Sequence, residues 1–285
     1  MIYLNGEFMP IDQAKISVLD RGFIFGDGVY EVIPVYSRRP FRLAEHLARL
    51  QSSLDAISIA NPNTNAKWAE LVGKIIAGNP WEDQNVYLQI TRGVAKRDHA
   101  FPKGLTPTVY LMASELVTPS AELMRTGAKA IVLPDFRWLR CDIKSTSLLG
   151  NCMLRTLAAE ADCAEAILVR EGEMTEASAS NVFVVKNGTV LAPPKSQLIL
   201  PGITYDVVLE ILRGDAIPHE VRPVREAELR SAEEIWVTSS SREVLPITTL
   251  DGKPVGKGKP GPVGVKVHAL YQQFKARVMR APAHA

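Results

Sequence analysis

The chain has 285 residues, a formal net charge of +2, and 46% hydrophobic and 22% charged residues. This length suits one large domain or two modest ones, and the composition is that of an ordinary globular protein. The near-neutral charge argues against a nucleic-acid partner, and no apolar run reaches the about 18 residues that a transmembrane helix needs. The first residues lack the basic and apolar regions of a secretory signal. Cys141, Cys152 and Cys163 form no metal-ligand spacing, so we expect reduced thiols, no metal site and a cytoplasmic location.

The first half of the chain predicts a mixture of strands and helices. Leucine and isoleucine recur at four-three-four-three spacing between Arg42 and Ile59, which predicts an amphipathic helix. Gly26 and Gly28 predict a turn before a strand, and no third glycine follows at the spacing of a dinucleotide-binding loop. The predicted elements are a hairpin over 1–5 and 7–10, a turn and strand over 23–34, helices over 42–59 and 67–77, and strands over 86–91 and 108–114.

The segment Thr118-Pro119-Ser120 predicts a domain boundary. We expect a smaller N-terminal domain over 1–117, a linker over 118–121 and a larger C-terminal domain over 122–285 that carries the candidate lysine described below. The elements predicted beyond the boundary are strands over 129–134 and 166–170, a hairpin over 182–192, a strand over 234–239, helices over 150–161, 203–213 and 265–279, and a loop over 252–264. Interleaved strands and helices without strict alternation predict a two-domain α+β or mixed α/β fold.

Lys144 is the leading candidate for chemistry. It ends a partly apolar run, Arg137–Ser145, in which Trp138 and Ile143 indicate at least partial burial. A desolvated lysine becomes a competent amine nucleophile and forms Schiff bases with carbonyls, and pyridoxal phosphate is the commonest cofactor that uses one. That cofactor requires a carboxylate near its ring nitrogen, and Glu176 is the candidate. A solvated surface lysine is the alternative interpretation of Lys144.

Several other residues are candidates for binding anions. Arg49 lies off the leucine stripe of its helix and could meet a phosphate as a fork, or be a solvated arginine. Ile203 and Thr204 open a helix whose free amides could bind phosphate or simply form an ordinary helix start. Ser239 and Ser240 follow a predicted strand and could donate hydrogen bonds to phosphate.

The loop bearing Arg97 and His99 could close over an anionic substrate or be an exposed basic loop. The remaining histidines show no grouping and receive no role; they are His46, His219, His268 and His284.

Seven segments, taken together and in order, resemble the fold-type IV pyridoxal-phosphate aminotransferases (class IV), and most closely the branch that acts on D-amino acids. The segments lie within residues 2 to 250, roughly. They are 20–32, 45–50, 91–102, 137–145, 175–183, 200–204 and 237–240.

The resemblance implies a smaller N-terminal α/β domain and a larger β-rich C-terminal domain with the cofactor between them. It implies that Lys144 forms the Schiff base and that Glu176 pairs with the ring nitrogen. It implies that Leu200 packs on the ring and that the phosphate is held by Arg49, the amides of Ile203 and Thr204, and the hydroxyls of Ser239 and Ser240. It further implies that Tyr30, Arg97 and His99 bind the substrate carboxylate, with Arg97 and His99 supplied across a homodimer interface.

The implied reaction moves the amino group of a D-amino acid, such as D-alanine, to a 2-oxo acid, such as 2-oxoglutarate. It is a ping-pong reaction in which pyridoxamine phosphate is the intermediate form of the cofactor. Branched-chain L-amino-acid transamination, aminodeoxychorismate lyase activity and a non-catalytic pyridoxal-phosphate carrier remain alternatives. Ala179 and Pro201 depart from the serine and lysine of a relative, so substrate scope or cofactor retention could differ.

Overall fold

The structure, a computed structural model, describes residues 1–280 and divides into two compact units. Unit 1 comprises Met1–Leu116 and Ile143–Leu148, and unit 2 comprises Val117–Asp142 and the chain from Leu149 onward. Both units combine helices with a sheet, which confirms the predicted two-domain α+β class. No helix of these 280 residues combines the length and the apolar character required to cross a bilayer.

Unit 1 is built on a six-stranded antiparallel sheet of order β2-β1-β6-β5-β3-β4. Its strands are β1 (Ile2–Leu4), β2 (Glu7–Met9), β3 (Gly28–Tyr36), β4 (Arg39–Pro40), β5 (Gln84–Thr91) and β6 (Thr108–Glu115). Its helices are α1 (Arg21–Phe25), α2 (Leu43–Ala56) and α3 (Asn65–Ala77). The leucine stripe of α2 and the apolar face of α3, including Trp68, pack into one core with β3, β5 and β6. This burial of apolar side chains is the main force that stabilises the unit.

Unit 2 contains a mixed ten-stranded sheet of order β12-β11-β10-β14-β15-β7-β8-β9-β13, with β16 paired to β15. The strands are β7 (Ala128–Pro134), β8 (Glu165–Arg170), β9 (Glu173–Ala177), β10 (Asn181–Lys186), β11 (Thr189–Ala192), β12 (His219–Val221), β13 (Val224–Arg225), β14 (Glu234–Ser239), β15 (Glu243–Leu250) and β16 (Lys253–Pro254). The helices are α4 (Ala121–Thr126), α5 (Leu149–Glu160), α6 (Ile203–Gly214), α7 (Glu226–Arg230) and α8 (Pro262–Phe274), followed by a π-helical turn, Lys275–Met279.

The segment that carries Lys144 belongs to unit 1, in contrast to the expectation that the C-terminal domain carries it. Ser145 forms an antiparallel bridge with Val29 at the start of β3, and Ile143 is buried in the core of unit 1. Six residues are too few to show a period of their own, so only these long-range contacts decide the unit to which the segment belongs.

Two predicted loops also contain regular structure. The predicted linker runs into α4, because the Ser120 side chain accepts a hydrogen bond from the amide of Leu123 and caps the helix. The predicted loop over 252–264 contains β16 and the first turn of α8, which begins at Pro262. Proline is compatible with the first turn of a helix, where its missing N–H has no partner to lose.

Candidate active site

Lys144 is positioned by β3 and α2 of unit 1. Its carbonyl accepts a hydrogen bond from the amide of Tyr30 (2.9 Å), and its own amide donates to the hydroxyl of Ser53 (3.2 Å). The side chain is half-buried, and its Nζ lies 4.3 Å from the centroid of the Tyr30 ring. The backbone on both sides of Lys144 is therefore fixed, and its amine is held against an aromatic face.

Tyr30 begins a row of tyrosines across the sheet of unit 1. Its ring stacks on Tyr87 with centroids 5.6 Å apart, and Tyr87 meets Tyr110 at 6.2 Å. Burial, with the neighbouring tyrosines, raises the pKa of Tyr87 to about 12. Tyr87 therefore stays neutral at physiological pH, and the row places an aromatic face, that of Tyr30, beside the amine of Lys144.

Glu31, next to Tyr30 on β3, is paired with two residues of α2. Arg49 meets its carboxylate as a fork, with Nε and Nη2 each 2.7 Å from an oxygen, and His46 Nδ1 lies 2.7 Å away. Glu31 is fully buried. Burial alone would raise the pKa of Glu31, but Arg49 and His46 lower it to about 2. The carboxylate is therefore ionised at neutral pH, and it fixes the orientation of the predicted phosphate ligand Arg49.

His46, which the sequence did not single out, belongs to this group. It is 2% exposed, and burial lowers its pKa although Glu31 opposes the shift. The hydrogen-bond network places the proton on Nδ1, toward Glu31, so Nε2 is an acceptor. Nε2 is buried and has no hydrogen-bond partner in the described chain. A buried acceptor without a partner is unfavourable, and it fits a site that binds a polar ligand or water.

Arg97 and His99 lie in the loop between β5 and β6, also in unit 1. Both are exposed, and both contact Phe25 of α1. The Arg97 guanidinium is 5.4 Å from the centroid of the Phe25 ring, and the His99 ring is 5.6 Å from it. The loop thus presents a cation and an imidazole from neighbouring positions.

In unit 2, Glu176 on β9 is a buried carboxylate with several donors around it. Arg137 Nη1 lies 2.6 Å from one oxygen, and the amide of Leu200 (3.1 Å) and Nδ2 of Asn181 (3.2 Å) donate to the other. Burial raises the pKa of Glu176 to about 7 against the opposing effect of Arg137. Nε and Nη2 of Arg137 also donate to the carboxylate of Asp135, so Glu176 belongs to a buried network of charged hydrogen bonds.

The start of α6 provides backbone donors in unit 2. Gly202 precedes the helix, and no side chain caps the amides of Ile203 and Thr204. A Cβ at Gly202 would collide with Oδ1 of Asn181, so the close approach of backbone to Asn181 requires glycine here. An uncapped helix start binds anions well.

The end of β14 supplies hydroxyls. Ser239 and Ser240 are half-buried, and the hydroxyl of Ser239 accepts a hydrogen bond from the amide of Arg242 (3.1 Å). The hydroxyl of the preceding Thr238 is buried without a partner in residues 1–280. An unsatisfied hydroxyl beside two serines suits a phosphate-binding position.

The position of Ala179, where a relative has serine, is the exposed tip of the β9–β10 turn. Its neighbours Ser178 and Ser180 both donate to the buried carboxylate of Glu165. The turn therefore keeps the two hydroxyls that hold it to β8 and lacks only the one at its exposed tip.

Comparison with known proteins identifies the family. Residues 28–250 match the model of the amino-transferase class IV family. The chain belongs to the class IV aminotransferases. It is therefore a pyridoxal-phosphate-dependent aminotransferase. This confirms the predicted family, enzyme class and cofactor.

Individual relatives agree with this assignment. The chain is 40% identical over 271 residues to a D-alanine aminotransferase of Bacillus licheniformis, covering 95% of each chain. It is 37% identical over 282 residues to a D-alanine aminotransferase of Listeria monocytogenes, covering 98% of this chain and 96% of that one. The structure is similar to that of a branched-chain aminotransferase from the archaeon Thermoproteus uzoniensis with norvaline, with a TM-score of 0.86, 26% identity and coverage of 96% and 93%.

The residues of this chain fit the cofactor of the family. Unit 1 offers the amine of Lys144 and an unpartnered acceptor on His46, and unit 2 offers the carboxylate of Glu176, uncapped amides at α6 and an unpartnered hydroxyl on Thr238. Across residues 1–280, no group of three or more His, Cys, Asp or Glu side chains could hold a metal ion.

The sequence alone missed Glu31, His46, Arg137 and Asn181. A signal for part of this set was present, because His46 and Arg49 are three residues apart and so share one face of α2. His284, which also received no role, lies outside the described residues.

Proposed function

We propose that this aminotransferase moves the amino group of a D-amino acid, such as D-alanine, to a 2-oxo acid, such as 2-oxoglutarate. The proposal depends mainly on one observation: Arg97 and His99 both contact the Phe25 ring. One loop therefore carries two side chains that can donate hydrogen bonds to a carboxylate. The near-full-length similarity to D-alanine aminotransferases supports it.

The residues of this chain have distinct roles in the proposal. When bound, the cofactor withdraws electrons from the substrate Cα and so makes its proton removable. The Lys144 amine binds the cofactor and then takes and returns that proton. Glu176, which Arg137 orients, would hold the ring nitrogen of the cofactor, and Leu200 would hold the face of the ring. The phosphate is held by Arg49, the amides of Ile203 and Thr204, and the hydroxyls of Ser239 and Ser240.

Handedness follows from where the carboxylate is bound. The Lys144 amine approaches Cα from one side only, so the α-hydrogen has to point toward it. Exchanging the positions of the carboxylate and the side chain then exchanges the accepted enantiomer. We propose that Tyr30, Arg97 and His99 form the carboxylate site and so select the D form.

We also propose that the enzyme is a cytoplasmic homodimer in which the loop of Arg97 and His99 serves the partner's substrate. Leu149, Met153 and Leu157 support an interface, since they follow one another at helical spacing on α5 and are 75%, 52% and 42% exposed. All three cysteines are unpaired, which suits a reducing compartment.

The test is a panel of single half-reactions on the purified holoenzyme, followed by the absorption of the cofactor. D-alanine should convert the cofactor to its amino form, whereas L-leucine and aminodeoxychorismate should not. Conversion by L-leucine alone would replace the proposal with branched-chain L-amino-acid transamination, and release of pyruvate from aminodeoxychorismate would replace it with the lyase. Colour without any conversion would indicate a carrier protein.

Two variants sharpen the test. Borohydride should fix the cofactor covalently on the peptide that contains Lys144, and Lys144→Ala should abolish both this adduct and turnover. Arg97→Ala should raise KM for D-alanine by about 10- to 100-fold, because a charged hydrogen bond to the carboxylate is lost. Unchanged D-alanine kinetics in Arg97→Ala would refute the proposed carboxylate site.

A further inference from the structure

The loop that carries Arg97 and His99 spans residues 92–107, between β5 and β6. Loops longer than about 15 residues are uncommon in compact domains, and when ordered they are usually functional. Such a loop has many accessible conformations, so a fixed position for two of its side chains requires specific contacts. In this chain the contacts include those made by the short helix α1, by Asp27, and by the carbonyls of Ile57 and Ser58.

The base of the loop is fixed by Arg92. Its Nε and Nη2 bind the carboxylate of Asp27 at 2.8 and 3.0 Å, and Nη1 and Nη2 donate to the carbonyls of Ser58 (3.0 Å) and Ile57 (2.6 Å). Phe101, further along the loop, lies over this guanidinium with 3.6 Å between its ring centroid and Cζ. Arg92 is 5% exposed. Its contacts therefore join both arms of the loop to the body of unit 1.

The central part of the loop is fixed by Arg21, the first residue of α1. Nη1 donates to the carbonyl of Asp98 (2.5 Å), Nη2 donates to that of His99 (3.4 Å), and Nε binds Asp27 (2.7 Å). Arg21 is 2% exposed, whereas the loop residues it contacts are exposed. A buried guanidinium thus connects Asp27 to the backbone carbonyls of Asp98 and His99.

Phe25, one helical turn beyond Arg21, contacts the side chains of the same segment. Its ring centroid lies 4.8 Å from the Arg21 guanidinium, 5.4 Å from that of Arg97 and 5.6 Å from the His99 ring. Positions four apart lie on one face of a helix, so Arg21 and Phe25 act on the loop together. Arg21 contacts the loop backbone, and Phe25 contacts the loop side chains.

We propose that Arg21 and Phe25 are positioning residues that hold Arg97 and His99 in the conformation that receives the substrate carboxylate. The inference rests on the proposed function of that loop. If the loop is held before substrate arrives, binding does not have to order it. If it is released, only a fraction of molecules is competent, and the apparent affinity falls by that fraction.

The central experiment compares two phenylalanines of the same helix. Phe25→Ala removes the ring that contacts Arg97 and His99. Phe23→Ala removes an equal ring that is 68% exposed and lies two positions away, on the opposite side of α1. Steady-state kinetics with D-alanine and hydrogen exchange of the loop amides are measured on both holoenzymes.

Phe25→Ala should raise KM about tenfold and change kcat by less than about threefold, because an interaction made equally in the ground and transition states is lost. Its loop amides should exchange faster. Phe23→Ala should match the wild type in both readouts. Equal effects of the two variants, or an unchanged KM in Phe25→Ala, would overturn the inference.

The role of Arg21 is tested by comparing two substitutions, Arg21→Lys and Arg21→Met. Arg21→Lys keeps the charge beside Asp27 but cannot reach two carbonyls as a fork, and Arg21→Met loses both. KM should rise in Arg21→Lys and rise further in Arg21→Met, with faster loop exchange in the same order. Should Arg21→Met fail to fold, Arg21→Lys and the phenylalanine pair still decide the question.

Arg97→Ala separates this inference from the proposed function. An unchanged KM in Arg97→Ala refutes the carboxylate site itself. A raised KM in Arg97→Ala together with wild-type behaviour of Phe25→Ala and Arg21→Lys refutes only the positioning role.

Discussion

The buried ion pair between Glu31 and Arg49 leads to a quantitative prediction about stability. Glu31→Gln keeps the size of the side chain and removes its charge. Arg49 would then lie beside a neutral amide, and His46 would lose its carboxylate acceptor. Arg49 is only 11% exposed and Glu31 is fully buried, so water cannot replace the lost partner efficiently.

The size of the effect follows from the pKa. Arg49 and His46 together outweigh burial and lower the pKa of Glu31 from 4.5 to about 2, a difference that corresponds to about 3 kcal/mol of native-state stability. Because the pKa is lower in the folded state, this stabilisation is present above the unfolded value of 4.5 and is lost as pH falls toward 2. Removal of one partner of a buried pair costs about 3–5 kcal/mol in other proteins, which agrees in scale.

The assay is denaturant unfolding at neutral pH and equal cofactor loading, with Glu70→Gln as a matched control. The pKa of Glu70 is also lowered to about 2, by Lys74 and Lys67, but this carboxylate lies on the solvent-exposed surface of α3. Solvent screens such pairs, so Glu70→Gln should leave the unfolding midpoint unchanged. A destabilisation of Glu31→Gln below about 1 kcal/mol, or one equal to that of Glu70→Gln, would refute the reasoning.

Two further predictions concern unit 2. Glu176→Gln should lower turnover by at least about 100-fold while the cofactor absorption is retained, since the amide supplies no charge to the ring nitrogen. Burial raises the pKa of Glu176 to about 7, so its contribution to the stability of the cofactor-free protein is present below 4.5 and is lost as pH rises through 7. The melting temperature should therefore fall less over this pH range in Glu176→Gln than in the wild type. Parallel falls in melting temperature would contradict the raised pKa. Gly202→Ala should displace Asn181 and weaken cofactor retention about tenfold in equilibrium dialysis. Gly214→Ala, at the other end of α6 and with open space around it, should bind the cofactor as the wild type does.

Local patterns predicted many secondary-structure elements correctly. The leucine spacing of α2 requires only the helical period, and Asn187-Gly188 forms a hairpin turn because both residues adopt positive φ values, 50° and 72°. The strand β15 was missed, since Pro246 and a continuous apolar run conceal its alternation. Ser120 was interpreted as part of a linker, although the same residue type caps helices.

In the candidate site, too, some residues could be selected from the sequence and others could not. Lys144, Glu176 and Arg49 could be selected as chemistry-bearing residues, and the class IV family is now established. Their partners could not be selected, because Glu31 meets Arg49 only through the packing of α2 on β3, and Arg137 meets Glu176 across 39 positions of sequence. The role of each residue toward cofactor and substrate stays a prediction until the variants above are measured.

The sequence by itself predicted the family, which the comparison confirms, and many of the helices and turns whose signals lie within a few residues; it also proposed the amine and the carboxylate for the chemistry. The tertiary structure decided that Lys144 lies with unit 1, that Glu31 and His46 accompany Arg49, and that Arg21 and Phe25 contact the loop of Arg97 and His99. The physical reason is the distance along the chain over which each kind of interaction acts. Periodicity and capping are local properties of the backbone, whereas burial and ion pairing depend on strand register and helix packing that join residues far apart in the chain.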